Sequence, residues 1–143
     1  MFLFVRIDCP ISNRYAPEIQ RLHSEFASRG VKFWLVYPDP DESPEDIRSH
    51  CREFGYTMDV LRDVEHALVR RTGARVTPEA AVFVSGQELL YCGRIDDWYV
   101  DFGKARASPT RRELRGVLGQ LLEGKRGSFE SAPAVGCPIA ELE

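Results

Sequence analysis

The chain is organised around Cys9-Pro10-Ile11-Ser12, with Pro17 following. Directly before this stretch, the run Phe2–Ile7 is almost entirely apolar, which predicts a strand buried on both faces. After it, apolar residues recur at steps of three and four as far as Gly30, which predicts a helix. Cys9 is therefore expected at a strand-to-helix junction, in the first turn of the helix, with Pro10 at the first helical position.

This position favours a reactive cysteine. The N-terminus of a helix presents unpaired N–H groups and the positive end of the helix dipole, both of which stabilise a thiolate. A free cysteine has a pKa near ~8.5, and a helix N-terminus lowers that pKa. We also expect the hydroxyl of Ser12, one turn on, to donate a hydrogen bond to the sulfur.

Composition sets limits on the class of protein. The 143 residues suit one domain with an ordinary core, and a net charge of -3 without any basic run argues against a nucleic-acid partner. No apolar run approaches the ~20 residues needed to span a membrane. The location of the protein stays open. The sequence as it stands indicates a cytoplasmic protein. Because the sequence begins inside a predicted strand, an N-terminal leader is also possible in the native protein, and an extracytoplasmic location is expected if there is one.

The four cysteines show no C-x-x-C pair, so a structural zinc site is not expected. Cys51 falls on the apolar face of a helix that begins at Ser43, and we interpret it as a core residue. Cys92 falls in a predicted strand and is interpreted as structural. The three histidines (His23, His50 and His66) fall on predicted helices and are interpreted as ordinary surface or helix residues, so no metal site is expected.

The remaining pattern predicts an α/β domain. Further strands are expected at Val31–Tyr37 and Met58–Leu61, with an antiparallel hairpin at Ala80–Ile95. A last helix is expected to begin with a capping box at Thr110. The loop from Trp98 to Pro109 carries several aromatic residues, and these form either a lid or a cap on the core.

The composition changes after residue 123. We therefore divide the chain into a domain of residues 1–123 and a tail of residues 124–143 that is rich in Gly, Ser and Pro and is expected to be disordered. The tail nevertheless contains Cys137 in a short apolar island, which is unusual for a disordered segment.

Two features resemble the thioredoxin superfamily. Cys9 and Pro17 match the C-x7-P spacing of its active-site helix, although Ser12 makes this a C-x-x-S site. Thr77-Pro78 stands where the family carries a cis-proline before a strand, and the inserted strand and helix around Met58 resemble the redoxin branch. The resemblance implies a thioredoxin-like fold, a mixed central sheet with helices on both faces. It also implies a cis Pro78, and a substrate segment bound by Pro10, Thr77 and Pro78.

The same resemblance implies a thiol–disulfide oxidoreductase with Cys9 as its nucleophile and no cofactor. Ser12 lies in the site but cannot resolve a mixed disulfide, so a second thiol must do so. By analogy with redoxins that carry a distant resolving cysteine, Cys137 is one candidate, and glutathione or another protein is the other. The expected partners are a protein or small-molecule disulfide and an external reductant.

Two other functions stay open. Peroxiredoxins resemble the chain at Cys9-Pro10, but Arg6 stands where their Thr or Ser would orient a peroxide. Arg75 or Arg94 would then have to stabilise the thiolate. The other alternative is a redox-inactive binding module that captures partners along Thr77. A copper-delivery role is rejected, because Asn13 stands where the second cysteine of that motif would be.

Overall fold

The computed structural model describes residues 1–85, 87–125, 127 and 129–142. Its centre is a five-stranded mixed sheet that consists of β1 (Phe2–Phe4), β2 (Trp34–Tyr37), β3 (Asp59–Arg62), β5 (Glu79–Val84) and β6 (Glu88–Gly93). The strand order is β3-β2-β1-β5-β6. The strand β1 is parallel to β2 and antiparallel to β5.

The helices and the short strands complete the element order. The helices are α1 (Pro10–Arg14), α2 (Ala16–Phe26), α3 (Pro44–Phe54), α4 (Ala67–Thr72) and α5 (Glu113–Leu122), with a 3₁₀ turn at Ala27–Arg29. Two small antiparallel pairs lie outside the main sheet. They join β4 (Val76–Thr77) to β9 (Cys137–Pro138), and β7 (Tyr99–Asp101) to β8 (Lys104–Ala105).

Alternate residues of the strands pack into two hydrophobic cores on opposite faces of the sheet. The first core contains Leu3 and Leu35 together with apolar residues of α2, α3 and α5. The second core contains Phe4 and Val36, and residues of α4 pack against it. The period of two along each strand therefore places helices on both faces, as the resemblance to the thioredoxin superfamily implied.

The first two strands are shorter than expected. The strand β1 ends at Phe4, although the N–H of Val5 still bonds the Val36 carbonyl. At Ile7 the backbone is engaged outside the sheet, since its N–H donates to Glu42 Oε1 and its carbonyl accepts from Asn13 Nδ2. The strand β2 begins only at Trp34, since the N–H of Val31 still bonds the Phe26 carbonyl at the end of α2.

The long helix predicted after Cys9 is interrupted at Tyr15, between α1 and α2. Pro17 lies in the first turn of α2 and has no N–H to continue the helical ladder, which explains the break. The predicted start of α3 is confirmed, because Ser43 Oγ accepts from the N–H of Asp46.

The prediction that a capping box at Thr110 begins the last helix was wrong. The helix α5 begins at Glu113, and the hydroxyl and N–H of Thr110 both donate to the buried carboxylate of Asp97 instead. The prediction of a loop from Trp98 to Pro109 was only partly right, because this segment contains the β7–β8 pair. Trp98 and Tyr99 pack on Tyr15, whereas Phe102 is exposed.

The expectation of a disordered tail was wrong for residues 131–139, which are hydrogen-bonded to the rest of the domain. Cys137 and Pro138 pair with Thr77 and Val76, and Ser131 and Ala132 bond to β6 and the residue after it before the tail reaches this pair. Within the described part of the chain, no helix is both long and apolar enough to cross a membrane.

Candidate active site

Cys9 is the N-cap residue of α1, one position before the first helical turn predicted for it. Its side chain is 1 % exposed, and its Sγ accepts a hydrogen bond from the N–H of Ser12 at 3.3 Å. Pro10 occupies the first turn of α1 and is exposed beside Cys9. A thiolate at this position is stabilised by the free amide of the first turn, because that amide donates to the negative sulfur.

Ser12 contributes through its backbone. Its side chain is fully buried, and its Oγ has no hydrogen-bond partner among the described residues. The expected hydroxyl-to-sulfur bond is therefore wrong, and the hydrogen bond to Cys9 comes from the Ser12 amide.

Cys9 forms a disulfide with Cys137, which is 128 residues away in sequence. Their Cα atoms are 6.0 Å apart, a separation typical of disulfides. The structure therefore joins Cys9 to Cys137, the candidate resolving cysteine that the resemblance to redoxins implied. The other two cysteines, Cys51 and Cys92, are free and half-buried.

Thr77 lies against the same sulfur, and Pro78 follows it in the chain. The Thr77–Pro78 peptide bond is cis, as the resemblance to the thioredoxin superfamily implied, and both residues are buried. The Thr77 carbonyl oxygen is 3.3 Å from Cys9 Sγ, where it would accept the S–H of a reduced Cys9. The Ser12 amide and the Thr77 carbonyl thus place one donor and one acceptor at Cys9 Sγ.

The tail fills the backbone edge that the sequence analysis assigned to a substrate. Cys137 is in register with Thr77, Pro138 is in register with Val76, and the N–H of Ile139 donates to the Arg75 carbonyl at 2.8 Å. Only a crevice of about 30 Å³ remains between residues 138–140 of the tail and the loop after β2.

Two glycines permit this docking. A Cβ on Gly136 would lie 2.0 Å from the Thr77 carbonyl oxygen, and a Cβ on Gly93 would lie 2.6 Å from the Ala132 carbonyl oxygen. Both obstacles are backbone atoms, which cannot move aside as a flexible side chain would. Glycine is therefore required where the tail crosses β6 and again where it meets Thr77.

The first anchor of the tail does not involve Cys137. The N–H of Arg94 donates to the Ala132 carbonyl at 3.0 Å, and Ser131 Oγ donates to the Cys92 carbonyl. Phe129 packs against the first core. This anchor keeps Cys137 close to Cys9 and so raises its effective concentration at that sulfur.

Aromatic residues secure the far end of α1. The hydroxyl of Tyr15 donates to Asp96 at 2.7 Å, and burial raises the pKa of both groups. Arg14 lies over the Trp98 ring, 4.7 Å from its centroid, and donates to the hydroxyl of Tyr99. These contacts hold the helix that Cys9 caps, and Trp98 and Tyr99 pack with the first core.

A directed chain of hydrogen bonds ends at the loop before Cys9. Asn13 Nδ2 donates to the Ile7 carbonyl at 2.8 Å, so Asn13 Oδ1 faces His50 Nε2 at 2.7 Å. Because that oxygen only accepts, His50 Nε2 carries the proton and Nδ1 accepts from the Tyr37 hydroxyl at 2.8 Å. Tyr37 oxygen then accepts the S–H of Cys51 at 3.4 Å.

The structure corrects the interpretation of two histidines. His50 is buried, and burial lowers its pKa, so it is neutral and holds one tautomer at neutral pH. His66 is buried just before α4 in the left-handed region, with φ 56°, and its Nε2 bonds the Pro38 carbonyl. Sequence periodicity did not reveal either role, because it registers apolar faces rather than polar pairs. The described residues hold no cluster suited to a metal ion.

Glu42 lies on the other side of the Ile7 backbone. Burial raises its pKa to about 7, although the hydrogen bond from the Ile7 N–H acts in the opposite direction. Its Oε2 has no hydrogen-bond partner among the described residues. It lines a cleft of about 520 Å³ that is rich in carboxylates, including Asp8 next to Cys9. The sequence analysis did not single out Glu42, since nothing local marks a carboxyl that becomes buried.

Neither arginine proposed for the thiolate is seen in that role. Arg94 forms a two-pronged ion pair with Glu113. The backbone N–H of Arg75 donates to Glu79, and its carbonyl accepts from the N–H of Ile139. Arg6 forms ion pairs with Asp8 and Asp39.

Comparison with known proteins identifies a family whose profile matches more than half of the chain. The profile of the AhpC/TSA family matches residues 1–90, which include Cys9, Thr77 and Pro78 but not Cys137. No curated protein matches the chain.

Solved structures share the fold. An uncharacterized conserved protein from Geobacillus kaustophilus is 25% identical with a TM-score of 0.81, over 99% of this chain and 76% of that one. A hypothetical protein from Sinorhizobium meliloti is 22% identical with a TM-score of 0.78, over 96% and 76%. A secreted Mycobacterium tuberculosis disulfide oxidoreductase is 14% identical with a TM-score of 0.54, over 87% and 79%. These likenesses confirm the thioredoxin-like fold.

Proposed function

We propose that this chain, which belongs to the AhpC/TSA family of redoxins, is a thiol–disulfide oxidoreductase with Cys9 as nucleophile and Cys137 as resolving thiol. The observation that carries the proposal is the Cys9–Cys137 disulfide at the N-terminus of α1. A binding module without turnover has no need to bring a second thiol across 128 residues to this sulfur.

In the first step, the Cys9 thiolate attacks one sulfur of a substrate disulfide. A bond forms between Cys9 Sγ and that sulfur, the substrate S–S bond breaks, and the second substrate sulfur leaves as a thiolate with the electron pair. The Ser12 amide stabilises the attacking thiolate. Departure of the reduced tail makes Cys9 accessible, because the sulfur is buried when the tail is in place.

In the second step, the Cys137 thiolate attacks Cys9 Sγ. The Cys9–Cys137 bond forms, and the mixed disulfide breaks to release the second substrate thiolate. The substrate has then gained two electrons and two protons, and the enzyme has lost them. An external dithiol returns the enzyme to its reduced state by the same exchange in reverse.

The family assignment makes peroxide reduction the second candidate. There Cys9 would become a sulfenic acid, releasing the alcohol or water, and Cys137 would condense with it to give the same disulfide and water. Arg6 occupies the place of the peroxide-orienting hydroxyl, and its guanidinium is engaged by Asp8 and Asp39. This arrangement favours the disulfide as substrate.

Turnover of a protein disulfide with dithiothreitol as the reductant tests the proposal. Cys9→Ser is expected to reduce turnover to the uncatalysed rate, whereas Cys51→Ser, the matched control, is expected to retain activity and lose stability. Peroxide consumption is measured in parallel. Full disulfide turnover in Cys9→Ser, or peroxide consumption by the wild type with no disulfide turnover, would contradict the proposal.

A further inference from the structure

The geometry of the docked tail points to the substrate class, and this inference rests on the proposed function. We propose that the groove along Val76–Thr77 accepts an extended protein segment whose reactive cysteine is directly preceded by glycine and has apolar residues two positions before and after it. The tail, with Val135-Gly136-Cys137-Pro138-Ile139, is the chain's own copy of such a segment.

The tail and the substrate need the same place. Each must present a sulfur in line with Cys9 Sγ, and the tail does so from an antiparallel pairing with Thr77 and Val76. A substrate segment that enters this edge gains the same backbone hydrogen bonds. The tail must leave before the segment enters, and it returns to resolve the adduct as the segment departs.

The groove restricts the residue directly before the cysteine, the position that Gly136 occupies in the tail, more than any other. A Cβ at Gly136 would stand 2.0 Å from the Thr77 oxygen and 2.6 Å from the Thr77 carbon. The obstacle is the backbone of Thr77, which is buried together with Pro78 and contacts Cys9 Sγ through its carbonyl oxygen. A segment with any side chain at this position cannot keep the register that brings its sulfur to Cys9.

The flanking positions add apolar contacts and tolerate proline. Val135 packs against the first core and Ile139 packs against the second. Hydrogen-bonded and non-bonded pairs alternate in an antiparallel ladder, and Ile139 is bonded to Arg75. Pro138, which has no N–H, therefore falls at a non-bonded position, so a proline after the cysteine costs no hydrogen bond.

Two chromogenic peptides test the glycine requirement. Ala-Val-Gly-Cys-Pro-Ile-Ala and its Ala-Val-Ala-Cys-Pro-Ile-Ala counterpart are each joined through cysteine to 5-thio-2-nitrobenzoate and added to full-length Cys137→Ser protein. Attack by the Cys9 thiolate on the peptide sulfur forms the Cys9–peptide bond and releases the coloured thiolate. The glycine peptide is expected to react about tenfold faster or more, since overpacking against backbone is costly.

The controls separate this inference from the proposed function. Glutathione is reacted with both peptides to correct for their intrinsic reactivity, and the remaining tail competes equally with both. Equal corrected rates, or reaction with hydroxyethyl disulfide but with neither peptide, would overturn the inference and leave the proposed function standing. Absence of reaction with all three disulfides would overturn the proposed function and the inference with it.

A variant of the chain provides an independent check. Gly136→Ala is expected to slow closure of the Cys9–Cys137 disulfide by a similar factor. Gly116→Ala in α5, where an added Cβ meets open space, serves as the matched control. Closure of Gly136→Ala at the wild-type rate would show that Thr77 does not exclude a side chain, and would overturn the inference.

Discussion

At the scale of single residues, Glu42 is a buried carboxyl whose charge depends on pH in the neutral range. Burial raises its pKa from 4.5 to about 7. It accepts a hydrogen bond from the N–H of Ile7, two residues before Cys9, while its second oxygen has no partner among the described residues. The folded chain therefore holds the Glu42 proton more tightly than the unfolded chain does.

This difference gives a pH-dependent stability. A carboxyl with a raised folded pKa stabilises the fold fully below pH 4.5, and that contribution is lost as the pH rises towards 7. Glu42→Gln, which is neutral at every pH, is expected to flatten the fall in Tm between these values. Exposed Glu45→Gln is the control and should follow the wild type. A Glu42→Gln profile parallel to the wild type would contradict the assignment.

At the scale of elements, one polar chain joins β2, α3 and α1 behind the active site. Cys51, Tyr37, His50 and Asn13 donate in one direction, ending at the Ile7 carbonyl. Each of these polar groups has a hydrogen-bond partner, and a buried network in which every group is paired favours a single arrangement of the elements that it connects.

Removing one hydroxyl tests this network. Tyr37→Phe leaves His50 Nδ1 and the S–H of Cys51 without their partner, and we expect it to lower the free energy of unfolding by about 1–3 kcal/mol. Tyr56→Phe is the matched control, since the Tyr56 hydroxyl is buried with no partner among the described residues. Urea denaturation of both variants under reducing conditions gives the comparison. Equal losses would mean that the network does not stabilise the fold.

The elements also show what sequence reasoning could reach. The strand leading to Cys9, Pro10 in the first helical turn and the Ser43 cap all follow from local patterns, and the structure confirms them. The pairing of Thr77 with Cys137 could not be derived in this way, because it joins strands 60 residues apart whose register depends on one close backbone contact. Thr110 was misjudged because Asp97, 13 residues earlier, competes for its donors.

At the scale of the whole molecule, one bond closes almost the entire chain into a loop. Joining residues 128 positions apart restricts the unfolded chain, and the loop-entropy estimate for that length is about 4–5 kcal/mol. Both cores are built mainly from residues before the tail, so the five-stranded sheet does not depend on the bond.

Reduction is therefore expected to destabilise the protein without unfolding it. Denaturation with and without dithiothreitol should show a loss of about this size in the wild type, and none in Cys137→Ser. Hydrogen exchange should speed up in residues 134–140 and at Val76 while β1 and β2 stay protected. Unfolding of the reduced protein under native conditions would contradict this view of the tail.

A quenched time course follows both proposed steps, attack by Cys9 and resolution by Cys137, in one experiment. Reduced protein is mixed with hydroxyethyl disulfide, free thiols are blocked at intervals, and intact mass with peptide mapping identifies each species. The wild type is expected to pass quickly through a Cys9 adduct to the Cys9–Cys137 disulfide, whereas Cys137→Ser is expected to accumulate the adduct on Cys9. An adduct of equal lifetime in both proteins, or a wild-type disulfide that includes Cys51 or Cys92, would contradict the two proposed steps.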